Sequence, residues 1–338
     1  MIPSGKAFIY GSSNFVWCEE YRLKNNLGAK EVLIETAHAA LNPIDYKVPD
    51  LLPFWLLFKG QPIGHDVCGK VIAIGSSVTE FKVGDVVFGV APACSEYTIT
   101  TQDKIAKVPK QDLEKSGIYA SLPGSGCTAL YMLERSGVLG FGGVKKIVVI
   151  GASGGVGSCI VQIAKNKLPP GSEIIGVCSP HSAEYVLSIG ATQVVDYTAA
   201  DFKISDAIEV RSVDAVFDTV TSPDDPDYVT EGLKLLKTSK LSRYIAANTK
   251  HQSEWLRAGV ARQTGWNILS TRKQYELIMV NQSQQYLLEL AQLVEKGLLK
   301  INIHKEVAFT ESEILEAFSL LRKRHVRGKV IIRIKTRS

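Results

Sequence analysis

Residues 151–157 read Gly-Ala-Ser-Gly-Gly-Val-Gly and could bind the pyrophosphate of a dinucleotide. Glycines let a backbone approach a phosphate closely, and a following helix offers free N–H groups and the positive end of its dipole. The alternative is a tight turn in a parallel sheet that binds no ligand. If a strand precedes this segment and a helix follows it, we expect Ser153, Gly154, Gly155 and Val156 to contact the dinucleotide.

The flanking residues predict that strand and that helix. Residues 147–150 form a short apolar run rich in β-branched side chains, which is typical of a central parallel strand. Residues 156–165 have helical periodicity, with apolar side chains on one face, and residues 173–178 predict a second strand. Together these elements make a βαβ unit of about thirty residues, the usual size.

Length and composition indicate a soluble enzyme of two domains. The chain has 338 residues, of which 45% are hydrophobic and 22% charged, as in ordinary globular proteins. No apolar run approaches the roughly twenty residues that span a bilayer. The N-terminal residues resemble neither a signal peptide nor a transit peptide. We therefore expect a cytoplasmic protein.

The six cysteines are scattered, and none forms a Cys-x-x-Cys pair. This spacing suggests neither a disulfide framework nor a clustered metal site. The net charge of +5 lies partly in residues 322–329 and in the basic tail. A nucleic-acid patch is one interpretation of these residues. We favour the other, a solvated helix end followed by a strand over residues 330–334 with basic flanks.

The order of predicted elements gives the architecture. Residues 1–120 are β-rich, with strands expected at 31–37, 69–75 and 84–89. Helices and strands alternate from about 121 to 280, which predicts a parallel sheet covered on both faces. The strands expected there are 146–150, 173–178, 193–195, 213–218 and 243–247. Helices are expected at 284–296 and 311–322, before the final strand.

Several motifs resemble the medium-chain dehydrogenase/reductases, and most closely their zinc-independent quinone oxidoreductase and enoyl reductase branch. They lie at residues 40–45, 64–69, 81–88, 122–130, 151–157, 189–197 and 328–330. The resemblance implies an α/β fold: a GroES-like β-rich catalytic domain and a doubly wound Rossmann cofactor domain. It places the catalytic domain at residues 1–120 and 280–338, the cofactor domain at 121–279, and implies a homodimer.

The same resemblance bears on zinc. His65 stands at the histidine position of the family's catalytic metal site, but Asn42 replaces the first cysteine ligand. The later ligand position falls near Gly124, and Cys127 lies three residues beyond it. A catalytic zinc needs three protein ligands and an open position. We therefore expect no metal, and expect His65 to pack or form hydrogen bonds near the active site.

The residues after the second Rossmann strand favour NADPH over NADH. No Asp or Glu follows Cys178, so nothing there repels a 2′-phosphate. The resemblance assigns Ser179 and Tyr197 to this phosphate, and His181 replaces the family's arginine, which is the stronger anion partner. The alternative for these three residues is an exposed loop without a ligand. We also assign Thr128, Met279 and Val280 to the cofactor site.

Hydride transfer to a quinone or a conjugated carbonyl builds negative charge on oxygen, and without zinc hydrogen-bond donors must stabilise it. Asn42 and Tyr46 are our catalytic candidates, because Asn42 begins and Tyr46 follows the Asn-Pro-x-Asp turn that the family places beside the nicotinamide. For Tyr46, an ordinary wall residue is an equal alternative. Pro53 stands where the mitochondrial enoyl-thioester reductases have a catalytic tyrosine, so we do not transfer their mechanism.

Residues 51–58 form a nearly continuous apolar segment that is too short to span a membrane. It could be a buried helix, an interfacial segment or an apolar wall for substrate. For the last of these, Phe54, Trp55 and Phe58 would contact substrate. The predicted function is NADPH-dependent reduction of a small-molecule quinone or α,β-unsaturated carbonyl. The alternative is an NADPH-binding regulatory or nucleic-acid-binding protein with little turnover.

Overall fold

The computed structural model describes residues 2–12, 14–46, 58–140, 142–222, 225–251, 254, 258, 274–280, 282–324 and 326–335. It divides into two compact units. The first comprises Met1–Cys127 and Gln282–Ser338, and the second comprises Thr128–Asn281.

The strands, in chain order, are β1 (Ser4–Tyr10), β2 (Phe15–Arg22), β3 (Glu31–Leu41), β4 (Asp66–Ile74), β5 (Val86–Val90), β6 (Tyr97–Thr101), β7 (Ile105–Lys107), β8 (Lys146–Ile150), β9 (Glu173–Cys178), β10 (Gln193–Asp196), β11 (Ala215–Asp218), β12 (Arg243–Ala246), β13 (Tyr275–Leu277), β14 (Ile303–Ala308) and β15 (Lys329–Arg333). The helices are α1 (Ser116–Ala120), α2 (Leu122–Ser136), α3 (Gly155–Lys167), α4 (Ala183–Ser188), α5 (Ile204–Ala207), α6 (Tyr228–Leu235), α7 (Gln284–Glu295) and α8 (Glu311–Arg322).

The first unit contains a seven-stranded sheet in the order β14-β15-β3-β4-β5-β7, in which β6 also pairs with β3. Strands β1 and β2 form a separate antiparallel pair. The long strand β3 is buried along most of its length. It pairs antiparallel with β15, which sets Val330 opposite Leu41. This register brings Lys329 from the end of the chain beside the turn that follows Leu41.

The core of the first unit combines residues from both ends of the chain. Its fully buried members include Phe8, Leu41, Ile63, Ile314 and Ile332. Burial of such side chains contributes about 1.5–3 kcal/mol each relative to exposure. The C-terminal segment is therefore an integral part of this β-rich domain, as the resemblance implies.

The second unit contains a six-stranded parallel sheet in the order β10-β9-β8-β11-β12-β13. This is the doubly wound Rossmann order, whose direction reverses between β8 and β11. Residues Ile147–Ile150 are at most 1% exposed, since parallel strands are covered on both faces. Both the GroES-like and the Rossmann parts of the predicted fold are confirmed.

Differences from the predicted elements lie in short or irregular segments. The expected strands of the parallel sheet are all present with small changes at their ends, whereas β1, β2, β6, β7, β13 and β14 were not predicted individually. Strand β13 has only three residues, all half-buried, so it has no clear apolar pattern. The last strand is present as expected, but the basic residue that precedes Val330, Lys329, is only 4% exposed. In the described part of the chain, no helix is both long and apolar enough to cross a bilayer.

Candidate functional site

The glycine-rich turn joins β8 to α3 as predicted. Gly151 has φ +81°, which disfavours any side chain, and helix α3 begins at Gly155. A Cβ atom added to Gly157 would lie 2.2 Å from the carbonyl oxygen of Gly151. Glycine is therefore required at Gly157 for the first turn of α3 to pack against the end of β8.

The N-terminus of α3 is open to a ligand. Its N-cap residue, Gly154, has no side chain that could accept a hydrogen bond from the first turn. The first N–H groups of a helix have no acceptor within the helix. Ser153, Gly154, Gly155 and Val156 are all half-buried, so one side of the turn is exposed. This is the arrangement that binds a pyrophosphate.

Other predicted cofactor residues lie at the same carboxyl edge of the sheet. Ser179 directly follows β9 and Tyr197 directly follows β10, and the pairing of Cys178 with Asp196 makes them neighbours. Tyr197 is 40% exposed and Ser179 is half-buried, so both side chains are accessible to a ligand.

The remaining predicted cofactor residues are distributed over three elements. His181 is exposed in the turn after β9. Met279 and Val280 follow β13, which is parallel to its neighbour, so they too lie at the carboxyl edge. Thr128 is half-buried on α2, one turn after Gly124.

The structure reveals two acidic residues at this edge that sequence reasoning did not select. The carboxylate of Asp196 accepts hydrogen bonds from the backbone N–H and the hydroxyl of Thr198, each at 2.8 Å. Burial, together with the charge of Asp196, raises the pKa of the Cys178 thiol to about 11. The sequence did not show that Asp196 would lie beside Cys178, because that depends on which strands pair.

Asp218 is the second such residue, and it is fully buried at the end of β11. Its carboxylate accepts from the hydroxyls of Thr221 and Tyr244, the latter at 2.7 Å. The backbone N–H groups of Val220 and Thr221 donate to it as well, each at 3.0 Å. A buried carboxylate with four donors fixes the loop that follows β11. This loop adjoins the glycine-rich turn, since the hydroxyl of Thr219 donates to the Ile150 carbonyl at 2.8 Å.

In the first unit, Asn42 belongs to a buried polar network. Lys329 Nζ donates to Asn42 Oδ1 at 2.6 Å, and Asn42 Nδ2 donates to Asp66 Oδ2 at 2.9 Å. Lys329 Nζ also lies 3.3 Å from Asp66 Oδ2. Lys329 is 4% exposed and Asp66 is fully buried, so the charged pair is shielded from water.

This network determines the orientation of the Asn42 amide. An ammonium group only donates and an ionised carboxylate only accepts, so Oδ1 must face Lys329 and Nδ2 must face Asp66. The amide nitrogen has two N–H donors, and Asp66 accepts one of them.

Burial raises the pKa of Asp66, although the charge of Lys329 and the hydrogen bond from Asn42 oppose this shift. Among the residues that the structure describes, none forms a hydrogen bond with its buried Oδ1 atom. A Cβ atom added to Gly124 would lie 2.6 Å from Asp66 Oδ2 and 2.8 Å from Asn42 Oδ1. The absence of a side chain at Gly124 is therefore what leaves room for the network.

His65 and Asp45 form a second polar pair next to this network. His65 Nδ1 lies 3.1 Å from Asp45 Oδ1, and Asp45 Oδ2 accepts from the backbone N–H of Asn42 at 2.7 Å. Burial lowers the pKa of His65, but the hydrogen bond that its ring donates to Asp45 and the charges of Asp45 and Asp66 outweigh it, so the net shift is upward. A hydrogen-bonding role for His65 is therefore confirmed.

The residues at the family's metal position do not fit zinc. The amide of Asn42 is engaged by Lys329 and Asp66, and Gly124 has no side chain. Lys329 already brings a positive charge to Asp66. Across the residues that the structure describes, no group of three or more His, Cys, Asp or Glu could hold a metal ion.

The two candidate catalytic residues differ in their surroundings. Tyr46 is 6% exposed, and its ring packs edge-on against Phe318 with centroids 6.2 Å apart. The guanidinium of Arg322 lies 4.5 Å from the centroid of the Tyr46 ring. This position favours the wall interpretation of Tyr46 and leaves Asn42 as the stronger candidate.

Of the three predicted substrate residues, Phe54 and Trp55 lie outside the described residues. Phe58 lines a cavity of about 280 Å³ in the first unit, and its ring packs against Tyr10 with centroids 5.4 Å apart. The same cavity is lined by His65. The structure thus brings a predicted substrate residue and His65 to one cavity.

Comparisons with known proteins agree with this fold. Residues 28–156 match the alcohol dehydrogenase GroES-like domain, and residues 189–332 match a family described as zinc-binding dehydrogenase. The chain is 28% identical over 335 residues to the mitochondrial NAD(P)H oxidoreductase RTN4IP1 of Mus musculus, covering 90% of this chain and 82% of the relative.

Two further relatives reduce quinones or enones, according to their names. The chain is 28% identical to 2-methylene-furan-3-one reductase of Solanum lycopersicum, covering 96% of this chain and 76% of that protein. The structure of the quinone oxidoreductase from Coxiella burnetii superposes with a TM-score of 0.79 at 26% identity, covering 98% of this chain and 100% of that one. With its split β-rich unit and Rossmann unit, the chain is an oxidoreductase that belongs to the quinone oxidoreductase and enoyl reductase branch of the medium-chain dehydrogenase/reductase superfamily.

Proposed function

We propose that the chain uses NADPH to reduce a quinone or an α,β-unsaturated carbonyl compound without zinc. The observation that supports this most directly is the Asn42 amide, held in one orientation by Lys329 and Asp66. It occupies the position of a metal ligand in the family and offers an N–H donor instead. The names of the tomato and Coxiella relatives match this substrate class.

NADPH, when bound, supplies the hydride. The N–H groups at the start of α3 bind its pyrophosphate, and Ser179, His181 and Tyr197 bind its 2′-phosphate. The second N–H of Asn42 donates to the substrate oxygen as negative charge builds there. The charge of Lys329 polarises this amide from its Oδ1 side, which strengthens the donor.

We further propose a homodimer in the cytoplasm, as the resemblance and the composition imply. The homodimer is checked by light scattering on the protein as it elutes from a gel-filtration column, where we expect twice the 36.9 kDa mass of one chain. The location is checked by fractionation, which matters because the mouse relative is named as mitochondrial.

NADPH is expected to bind at least tenfold more tightly than NADH, which corresponds to about 1.4 kcal/mol. The reason is that Cys178 is followed by Ser179 and not by a carboxylate. Substituting His181→Arg should tighten NADPH further, because the guanidinium is always charged and presents paired donors to a phosphate. Isothermal titration with both cofactors measures this, and equal dissociation constants in the parent protein would refute the preference.

Activity is expected to survive removal of metal. A chelator should leave turnover of the purified protein unchanged, since Asn42 and Gly124 provide no ligand where the family places two. Elemental analysis is the companion measurement. Stoichiometric zinc, with activity lost to the chelator and restored by zinc, would show that the proposal is wrong.

The function itself is tested by steady-state oxidation of NADPH with a panel of quinones and enones. The panel should contain small and large apolar acceptors, and we expect turnover with acceptors of each size that fits the cavity at Phe58. Tight NADPH binding without turnover on any acceptor would instead support a cofactor-binding regulator.

A further inference from the structure

The cavity of about 280 Å³ in the first unit is lined by both polar and apolar side chains. Its apolar residues include Phe58 and Pro62, and its two ionisable rings are those of His65 and Tyr10. The side chain of His65 is 43% exposed, whereas its partner Asp45 is fully buried. A molecule in this cavity therefore meets the imidazole and not the carboxylate.

Asp45 fixes the orientation of the His65 imidazole through a hydrogen bond. An ionised carboxylate only accepts, so Asp45 Oδ1 receives the Nδ1–H of His65 at 3.1 Å. Asp45 is held in turn by the backbone N–H of Asn42 on its other oxygen. Its own carbonyl accepts from the Tyr10 hydroxyl at 3.1 Å. Nε2 is thus the ring nitrogen left for an incoming molecule.

We propose that His65 is the proton donor of the reductase, an inference that rests on the proposed function. Hydride addition to the β-carbon of an enone moves the π electrons onto oxygen and leaves an enolate. The imidazolium of His65 then gives its Nε2 proton to the α-carbon, forming the new C–H bond, and becomes neutral imidazole. The enone is reduced, NADPH is oxidised, and solvent returns the proton to the exposed ring. For a quinone, hydride addition to one carbonyl oxygen leaves the other oxygen as a phenolate, and the proton from His65 converts this phenolate to the hydroquinone.

The charges around His65 favour the protonated form. Asp45 and Asp66 both raise its pKa, against the effect of burial. Lys329 pairs with Asp66, and Glu31 and Lys104 are the other charged residues that line the cavity. Because the upward shift dominates, the acid form of His65 persists to a higher pH than that of an ordinary histidine.

The first test is the pH profile of enone reduction with an α-methylated cyclic enone. In the parent, turnover should fall as the pH rises through the raised pKa of His65, since the acid form is required. In His65→Gln, turnover should be about 100-fold lower than in the parent, within the usual range for a general acid. It should also no longer decrease as the pH rises through this range. His304→Gln is the matched control, because His304 belongs to the same unit and does not line the cavity.

Asp45 is a positioning residue, and Asp45→Asn tests its effect. The substitution removes the negative charge that stabilises the His65 imidazolium, so the decrease in turnover should occur at a lower pH. A smaller maximal rate with the decrease at an unchanged pH would show that Asp45 acts only by packing. That result would contradict the part of the proposal that concerns Asp45.

The second test uses the same enone in D₂O with early quenching. Delivery from His65 should place deuterium on one face of the α-carbon in the parent and on both faces in His65→Gln. NADPH affinity should be equal in the two proteins. A parent without turnover on any quinone or enone contradicts the proposed function, and this role with it. Two outcomes contradict the role of His65 alone. One is an active parent protein that places deuterium on both faces of the α-carbon. The other is a His65→Gln protein whose turnover still falls as the pH rises and which still labels a single face.

Discussion

Replacing Lys329 by methionine is expected to lower the free energy of unfolding by about 3–5 kcal/mol, the usual cost of removing one partner of a buried ion pair. Lys329 is 4% exposed and donates to both Asn42 and Asp66. Without it, the Asp66 carboxylate and the Asn42 carbonyl oxygen stay buried and lose a donor. For a unit of this size, the melting temperature should fall by roughly 6–20 °C.

The deficit of Lys329→Met should depend on pH in a defined direction. Burial already raises the pKa of Asp66, and loss of Lys329 removes a charge that opposes this shift. A group whose pKa is raised by folding binds a proton in the folded state where the unfolded state has lost it. The loss of stability in Lys329→Met is therefore largest above the raised pKa of Asp66, and it should become smaller as the pH falls through that pKa.

Two controls separate the buried ion pair from a general effect of losing a lysine. Lys335→Met removes a lysine that is 51% exposed and paired with Glu35, so it should change stability by at most about 1 kcal/mol. The double variant Asp66→Asn, Lys329→Met removes the uncompensated charge and should recover much of the loss. Equal effects of the two single lysine substitutions, measured by urea unfolding, would show that the network does not stabilise the fold.

Gly157→Ala is expected to weaken NADPH binding at least about 100-fold, equivalent to about 2.7 kcal/mol. The new Cβ atom would lie 2.2 Å from the Gly151 carbonyl oxygen and 2.9 Å from the Ala152 Cα atom. Both are backbone atoms, so the start of α3 must move away from β8. The N–H groups proposed to hold the pyrophosphate would move with it, and overpacking of this kind also costs about 1–3 kcal/mol of stability.

Gly154→Ala and Gly142→Ala are the comparison substitutions for Gly157→Ala, because each also adds a single Cβ atom at a glycine. The Cβ atom at Gly154 would lie 3.4 Å from the nearest atom, the Gly151 carbonyl oxygen, and one at Gly142 would meet nothing within 4 Å. Gly142→Ala should leave NADPH affinity unchanged. Gly154→Ala should fold normally but bind NADPH more weakly, because its Cβ atom lies where the pyrophosphate approaches. Unchanged NADPH affinity in Gly157→Ala, measured by titration, would show that this turn is not the pyrophosphate site.

Local sequence patterns determined the parallel sheet and its glycine-rich turn. The run Ile147–Ile150 and the glycines after it define a strand, a turn and a helix through short-range preferences alone. The resulting elements, β8 and α3, begin and end within a residue or two of the expected positions. A buried parallel strand is continuously apolar, and this is a strong signal even in a single sequence.

Only the tertiary structure decided what surrounds Asn42. Its partners Asp66 and Lys329 are 24 and 287 residues away along the chain. The motifs at residues 64–69 and 328–330 contain both partners, but spacing along a sequence does not say which side chains meet. The pairing of β15 with β3 brings them together, because hydrogen-bond register between strands distant in sequence depends on how the whole sheet assembles. For the same reason, the sequence determined that His65 was present, and the fold determined that it faces a cavity with Asp45 behind it.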